Sequence, residues 1–141
     1  MKRKSSKTIV GSYIKMWPRE ALDVQSGNKP LPAVWDLLRQ PGVYILYRDN
    51  QPYYVGRATK SIYARMTHHA RKPQSRYYNF WNFFSAFIVP QAHIHDVEGI
   101  LIAAFPTENS ATPRFRRLRL PLSVAKLIHN RRLITEKNSE A

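Results

Sequence analysis

The spacing of apolar residues changes several times along the chain, and each change marks an element. Val43 to Tyr47 and Pro52 to Gly56 are β-branched or aromatic runs of strand length. Arg48-Asp49-Asn50-Gln51 separates them, which is a hairpin signal; the loop has no glycine, but Asn50 tolerates the left-handed conformation that ends a three-residue loop. With Arg48-Asp49-Asn50 as that loop, Tyr47 pairs with Gln51 and Tyr44 falls opposite Tyr54. Both tyrosines then project from one face of the sheet, whereas a two- or four-residue loop puts them on opposite faces. Ser61 to Arg71 reads as a helix with Ile62, Met66 and Ala70 as its apolar stripe, and Arg65 and His69, one turn apart, along the edge of that stripe. Phe83 to Val89 is a nearly continuous apolar run ended by Pro90, short enough for a buried strand. The clearest helix follows: Asp96 can cap it, Val97, Ile100, Leu101, Ala104 and Phe105 repeat at helical spacing, and Pro106 stops it. Glu98 sits beside that stripe, where a side chain reaches the sheet yet keeps its head polar.

Weaker signals complete the order. Pro32 through Arg39 fits one short helix with Trp35, Leu37 and Leu38 packing, stopped by Pro41-Gly42, and a last helix runs from Leu122 to about Thr135. Strand, strand, helix, strand, helix, helix is an α+β order, and it predicts a small, mostly antiparallel, three-stranded sheet flanked by helices. Residues 1–29 read as a basic N-terminal arm, residues 30–110 as the core, and residues 111–141 as a basic extension whose helix packs on the core. No internal repeat or low-complexity segment interrupts this division.

Charge changes the picture from fold to function. Lysine and arginine number 23 against 9 acidic residues, a net charge of +14. Such an excess costs self-repulsion and attracts polyanions by releasing their condensed counterions, so nucleic acid leads the candidate partners over a protein that is merely basic. No apolar run approaches the length that crosses a bilayer, and no basic amphipathic stretch is faced with Trp, Phe and Leu, which argues against a membrane. Cysteine is absent, excluding disulfides, thiolate metal sites and a cysteine nucleophile, and the N-terminus leads into no secretion-type apolar segment; the cytoplasm is the expected compartment.

Gly42-Val43-Tyr44, a short hairpin, and Tyr54-Val55-Gly56 together resemble the two-part signature of the GIY-YIG nucleases. Either triplet alone carries no information. The series is more specific: the two triplets, Arg65 in the next helix, Glu98 in a later one and Asn109 just beyond it, in the family's order over residues 41–110. The gap between the triplets is a residue or so shorter than is usual in the family. The resemblance implies a metal-dependent endonuclease that hydrolyses phosphodiesters, with DNA ahead of RNA as substrate. The rival readings are a nucleic-acid-binding module that has lost catalysis, and a nuclease subunit of a larger repair, mobile-element or restriction system.

Phosphodiester hydrolysis needs an activated water, a cation for the equatorial oxygens, help for the leaving oxygen, and orientation. Glu98 is the candidate metal ligand, since one carboxylate with several waters suits Mg2+, with Mn2+ as a substitute. Arg65 can bind two phosphate oxygens with paired hydrogen bonds. A free phenol titrates near 10, but Arg65, Arg57 and the metal would favour the phenolate, and by the resemblance Tyr44 is the base for the attacking water while Tyr54 positions water or phosphate. His69 either relays a proton or is a surface imidazole. The resemblance places Arg57 on phosphate and gives Asn109 a bracing role, and Arg114, Arg116 and Arg117 are candidates to track the phosphate backbone. Three further features carry less: His93-x-His95 lacks a third metal ligand at suitable spacing, Tyr77, Tyr78, Phe80 and Trp81 fit a core better than base stacking, and an arginine-rich surface is a fair rival for residues 114–119.

Overall fold

Side chains of the Gly42–Arg48 strand alternate between two apolar cores, one on each face of a sheet. The computed structural model describes residues 8–72, 80–107, 109 and 112–139. Within them the order is β1 (Ser12–Pro18), β2 (Gln25–Ser26), β3 (Lys29–Pro30), α1 (Pro32–Leu38), β4 (Gly42–Arg48), β5 (Gln51–Ala58), α2 (Ile62–Arg71), β6 (Phe83–Ile88), α3 (Ile94–Ala104) and α4 (Leu122–Ser139). Tyr44 and Leu46 enter a core shared with Leu38 of α1, Ile62 and Met66 of α2, and Phe84 of β6. Val43 and Ile45 enter the other, with Val55 and with Ile94, Val97 and Leu101 of α3. Each fully buried side chain of this size contributes about 1.5–3 kcal/mol, so the two faces fix α1 and α2 on one side of the sheet and α3 on the other.

The sheet order is β1-β6-β4-β5 with every pairing antiparallel, while β2 and β3 form a separate two-stranded ribbon. The α+β class holds, but the main sheet has four strands rather than three. The additional strand is β1, from the segment read as an arm. Ile14 anchors it in the core, and Tyr13 stacks on Phe87 with ring centroids 6.2 Å apart. A bulge at Met16, whose φ is 54°, breaks the two-residue alternation, and the Met16 N–H donates to Ser85 Oγ at 3.0 Å. That break hid the strand from its pattern.

The hairpin also differs from its expected register. Arg48 pairs with Gln51 across a two-residue turn, with Asp49 rather than Asn50 in the left-handed conformation at φ 56°. Asn82 braces the turn, accepting from the Asp49 N–H at 2.7 Å and donating to its carboxylate at 3.0 Å. A bulge then shifts the pairing, so that Tyr54 faces Leu46 and Tyr44 faces Gly56. The turn and the bulge together restore the parity of a three-residue loop. Tyr44 and Tyr54 therefore share a face, with ring centroids 6.3 Å apart, although they do not lie opposite each other.

Two details of the helices are corrected. His93, not Asp96, occupies the cap of α3 and makes no side-chain cap bond, leaving Asp96 in the first turn. Ile100 is 59% exposed, because Ile94, Val97 and Leu101 define the buried face. Along α4, Leu122, Leu127 and Ile134 stand exposed instead of packing on the core as expected for that segment. Among the described residues, no helix is long and apolar enough to cross a membrane.

Candidate active site

Strand β5 lies at the sheet edge, so among the described residues one side of its backbone has no neighbouring strand. At Val55 that side is taken by a side chain. Asn109 accepts from the Val55 N–H at 3.0 Å and donates to the Val55 carbonyl at 2.7 Å. One carboxamide thus does for this residue what a paired strand would do. Alternation along β5 places Tyr54 on the face covered by α2, and Val55 and Arg57 on the face covered by α3. A cleft of about 210 Å3 wraps this edge, lined by Tyr54, Val55, Arg57, Arg65, Glu98 and Asn109. A hollow beside Lys29, Pro30, Pro32, Trp35 and Asp36 is larger, about 660 Å3, but among its lining residues only Lys29 and Asp36 are ionisable.

Glu98 is 9% exposed and projects from α3 to this edge. Arg57 Nη1 donates to its Oε1 at 3.0 Å. Arg57, expected on phosphate, is thus held by the expected metal ligand, and its other contact is His95 Nδ1 at 3.4 Å. Arg65, exposed on α2, reaches the cleft from the opposite face of the sheet. Two oppositely charged groups on separate helices thus meet around one strand.

Tyr44 lies beneath the cleft rather than in its wall. It is fully buried, and its hydroxyl is 2.8 Å from His69 Nε2. A Cβ on Gly56 would fall inside the Tyr44 ring, so the glycine of the second triplet is required by the tyrosine of the first. Charge alone suggested a phenol shifted towards ionisation, but burial dominates and pushes Tyr44 above its ordinary value of 10, with Tyr54 adding to the effect. The Arg65 guanidinium opposes this by its charge and by hydrogen bonding to the phenol, and Glu98 adds a further upward push. Burial acts oppositely on His69: with Arg65 and His68 also contributing, its imidazole is pushed down to about 4. The ring is therefore neutral at pH 7 and can accept the Tyr44 proton at Nε2. At 4% exposure, His69 is not a surface imidazole.

The remaining expectations divide. Arg114 Nη2 approaches His95 Nε2 at 3.5 Å, close to the outer rim of the cleft, whereas Arg116 and Arg117 are exposed and do not line it. Trp81 is core, Phe80 packs against Tyr53 with tilted rings and centroids 4.0 Å apart, and Tyr77 and Tyr78 lie outside the described residues. Among the described residues no three His, Asp or Glu side chains group as a metal cage, His93 and His95 included. Sequence reasoning missed His95 as a neighbour of Arg57; its position one turn before Glu98 on the same helix was the available signal.

No family model matches the chain, and no curated protein matches it. Among solved structures, the chain is similar to the GIY-YIG N-terminal endonuclease domain of UvrC from Thermotoga maritima bound to its catalytic divalent cation, magnesium. That match has 22% identity and a TM-score of 0.44, covering 50% of this chain and 83% of that one. A point mutant of the same domain, bound to its catalytic divalent cation, matches at 20% identity and a TM-score of 0.43, over 52% and 87% of the two chains.

Proposed function

We propose that this chain is a metal-dependent endonuclease that hydrolyses phosphodiesters of nucleic acid, DNA ahead of RNA, at the β5 edge. One observation carries the reading: Arg65 and Glu98, from helices on opposite faces of the sheet, line a single cleft with Tyr54, Arg57 and Asn109. A cation for phosphate and a hard anionic ligand at one strand edge fit phosphodiester chemistry better than a packing role. The net charge of +14 supports a polyanionic substrate.

The donor set fits a hydrated hard cation, because the cleft offers the Glu98 carboxylate and no thiolate or imidazole. Glu98 would hold Mg2+, or Mn2+ in its place, and the ion when bound would neutralise charge on the phosphate oxygens. Arg65 leaves the Tyr44 hydroxyl to take the scissile phosphate through paired hydrogen bonds. Water entering there gives a proton to the Tyr44 oxygen while the phenol proton passes to His69 Nε2. The water oxygen bonds to phosphorus, the bond to the leaving oxygen breaks, that oxygen takes a proton from solvent, and His69 returns the proton it received to solvent. Tyr54 orients the water, and Asn109 keeps the edge of β5 in place. Arg114, Arg116 and Arg117 extend the basic surface along the substrate backbone.

The Arg57–Glu98 ion pair favours a second reading, a binding module whose carboxylate is neutralised from within. A Mg2+-supplemented cleavage screen over single-stranded, duplex and branched DNA and over RNA separates the two. The endonuclease reading predicts cleavage that Glu98→Ala abolishes while nucleic-acid binding survives. Equal inertness of both proteins on every substrate would leave the binding module.

A further inference from the structure

His95, in the first turn of α3, stands between two guanidiniums. Arg57 Nη1 lies 3.4 Å from its Nδ1, and Arg114 Nη2 lies 3.5 Å from its Nε2. A guanidinium only donates, and a neutral imidazole has one nitrogen lone pair with which to accept. Whichever tautomer His95 adopts, one contact sets N–H against N–H; a protonated ring does so at both. The two distances, at the long limit for hydrogen bonds, agree with that mismatch. Glu98 engages Arg57 through Oε1, and among the described residues no carboxylate pairs with Arg114. Among the described residues the group has more donors than acceptors.

We infer that Arg57, His95 and Arg114 form a subsite for a backbone phosphate adjacent to the one being cut. Its place beside a scissile phosphate rests on the endonuclease reading; the shortage of acceptors does not. A phosphate diester offers two charged oxygens that can accept from both guanidiniums and from the protonated nitrogen of His95, removing the clash. Arg57 belongs to the cleft as well as to this group, so the subsite adjoins the position of the scissile phosphate. Arg116, Arg117 and Arg119 follow Arg114 along an exposed segment, a direction in which a polyanionic strand can continue.

Binding is tested without divalent metal, so that cleavage plays no part. The full chain, with nitrogen-15 in its histidine and arginine side chains, is titrated by NMR with inorganic phosphate and then with a short oligothymidylate. Saturable shifts of the His95 ring are expected with both. Arg114→Ala and His95→Ala should each weaken inorganic phosphate at least about fivefold, whereas Arg132→Ala in α4, which removes the same charge as Arg114→Ala elsewhere, should not. Arg114→Ala should also lower the salt slope of oligothymidylate binding by about 0.7, the value of one phosphate contact on a single strand. An unshifted His95 ring, or an Arg114→Ala protein that binds phosphate like Arg132→Ala, overturns the subsite. Phosphate binding with an unchanged salt slope overturns its assignment to a polynucleotide. A chain that passes these tests yet never cleaves keeps the subsite and loses the endonuclease reading; one that cleaves but fails them does the reverse.

Discussion

His69 should make the protein lose stability in weak acid by a predictable amount. The ring is 4% exposed, and burial beside Arg65 and His68 pushes it down to about 4 from an ordinary 6.5. The unfolded chain therefore takes up the His69 proton before the folded chain does. This contribution to stability is present above pH 6.5, declines as pH falls through that value, and is fully lost below about 4. A separation of this size is worth about 3 kcal/mol in total, and about 2 kcal/mol of it falls between pH 6.5 and about pH 4.5. Urea unfolding of the wild type and of His69→Gln at these two pH values isolates the term. Ion pairs such as Arg71–Asp23 weaken in both proteins and cancel from the comparison. The wild type should lose about 2 kcal/mol more than the variant over the interval. Parallel losses would refute the burial argument and, with it, the neutral imidazole that accepts from Tyr44.

Three other outcomes follow from the same geometry. Gly56→Ala drives a methyl into the Tyr44 ring and should destabilise by about 1–3 kcal/mol in urea unfolding, a cost that Tyr44→Ala on the same chain removes. Asn109→Ala strips both hydrogen bonds from Val55 and should cost about 1–2 kcal/mol, with faster amide hydrogen exchange at Val55 and little change at Ile45 on the neighbouring strand. Removing divalent metal with EDTA should abolish cleavage and leave the melting temperature within about 2 °C, because both cores are assembled from apolar side chains and need no bound ion.

Much of this fold was legible because apolar period is a direct imprint of burial. The Tyr44 and Tyr54 runs, α2 with Ile62 and Met66, and the apolar run of β6 all follow their patterns. What failed were places where a compensating irregularity leaves the pattern unchanged or breaks it. A two-residue turn followed by a bulge inserts one residue, as does a three-residue loop, so alternation cannot distinguish them; the shared face of Tyr44 and Tyr54 survived because parity, not register, decides it. Strand β1 was lost for the converse reason, since the bulge at Met16 interrupts its alternation. At the cleft, position along each element was enough to set Arg65 and Glu98 along one edge, but the depth of Tyr44 and the hold of Arg57 on Glu98 are tertiary facts with no local pattern. Linear sequence gives the charge of a neighbour more readily than the burial of a phenol, which is why the largest influence on Tyr44, its burial, left no sign in the pattern.

The central claim is that Arg65 and Glu98 serve one phosphorus atom, and a double-mutant cycle on cleavage tests it. Single-turnover rates with Mg2+ and saturating nucleic acid are compared for the wild type, Arg65→Ala, Glu98→Ala and the double variant. The account predicts that each single change lowers the rate by about a hundredfold or more, and that the double variant is scarcely slower than the worse of the two. Losses that multiply in full, or either single variant cleaving within about threefold of the wild type, would contradict it.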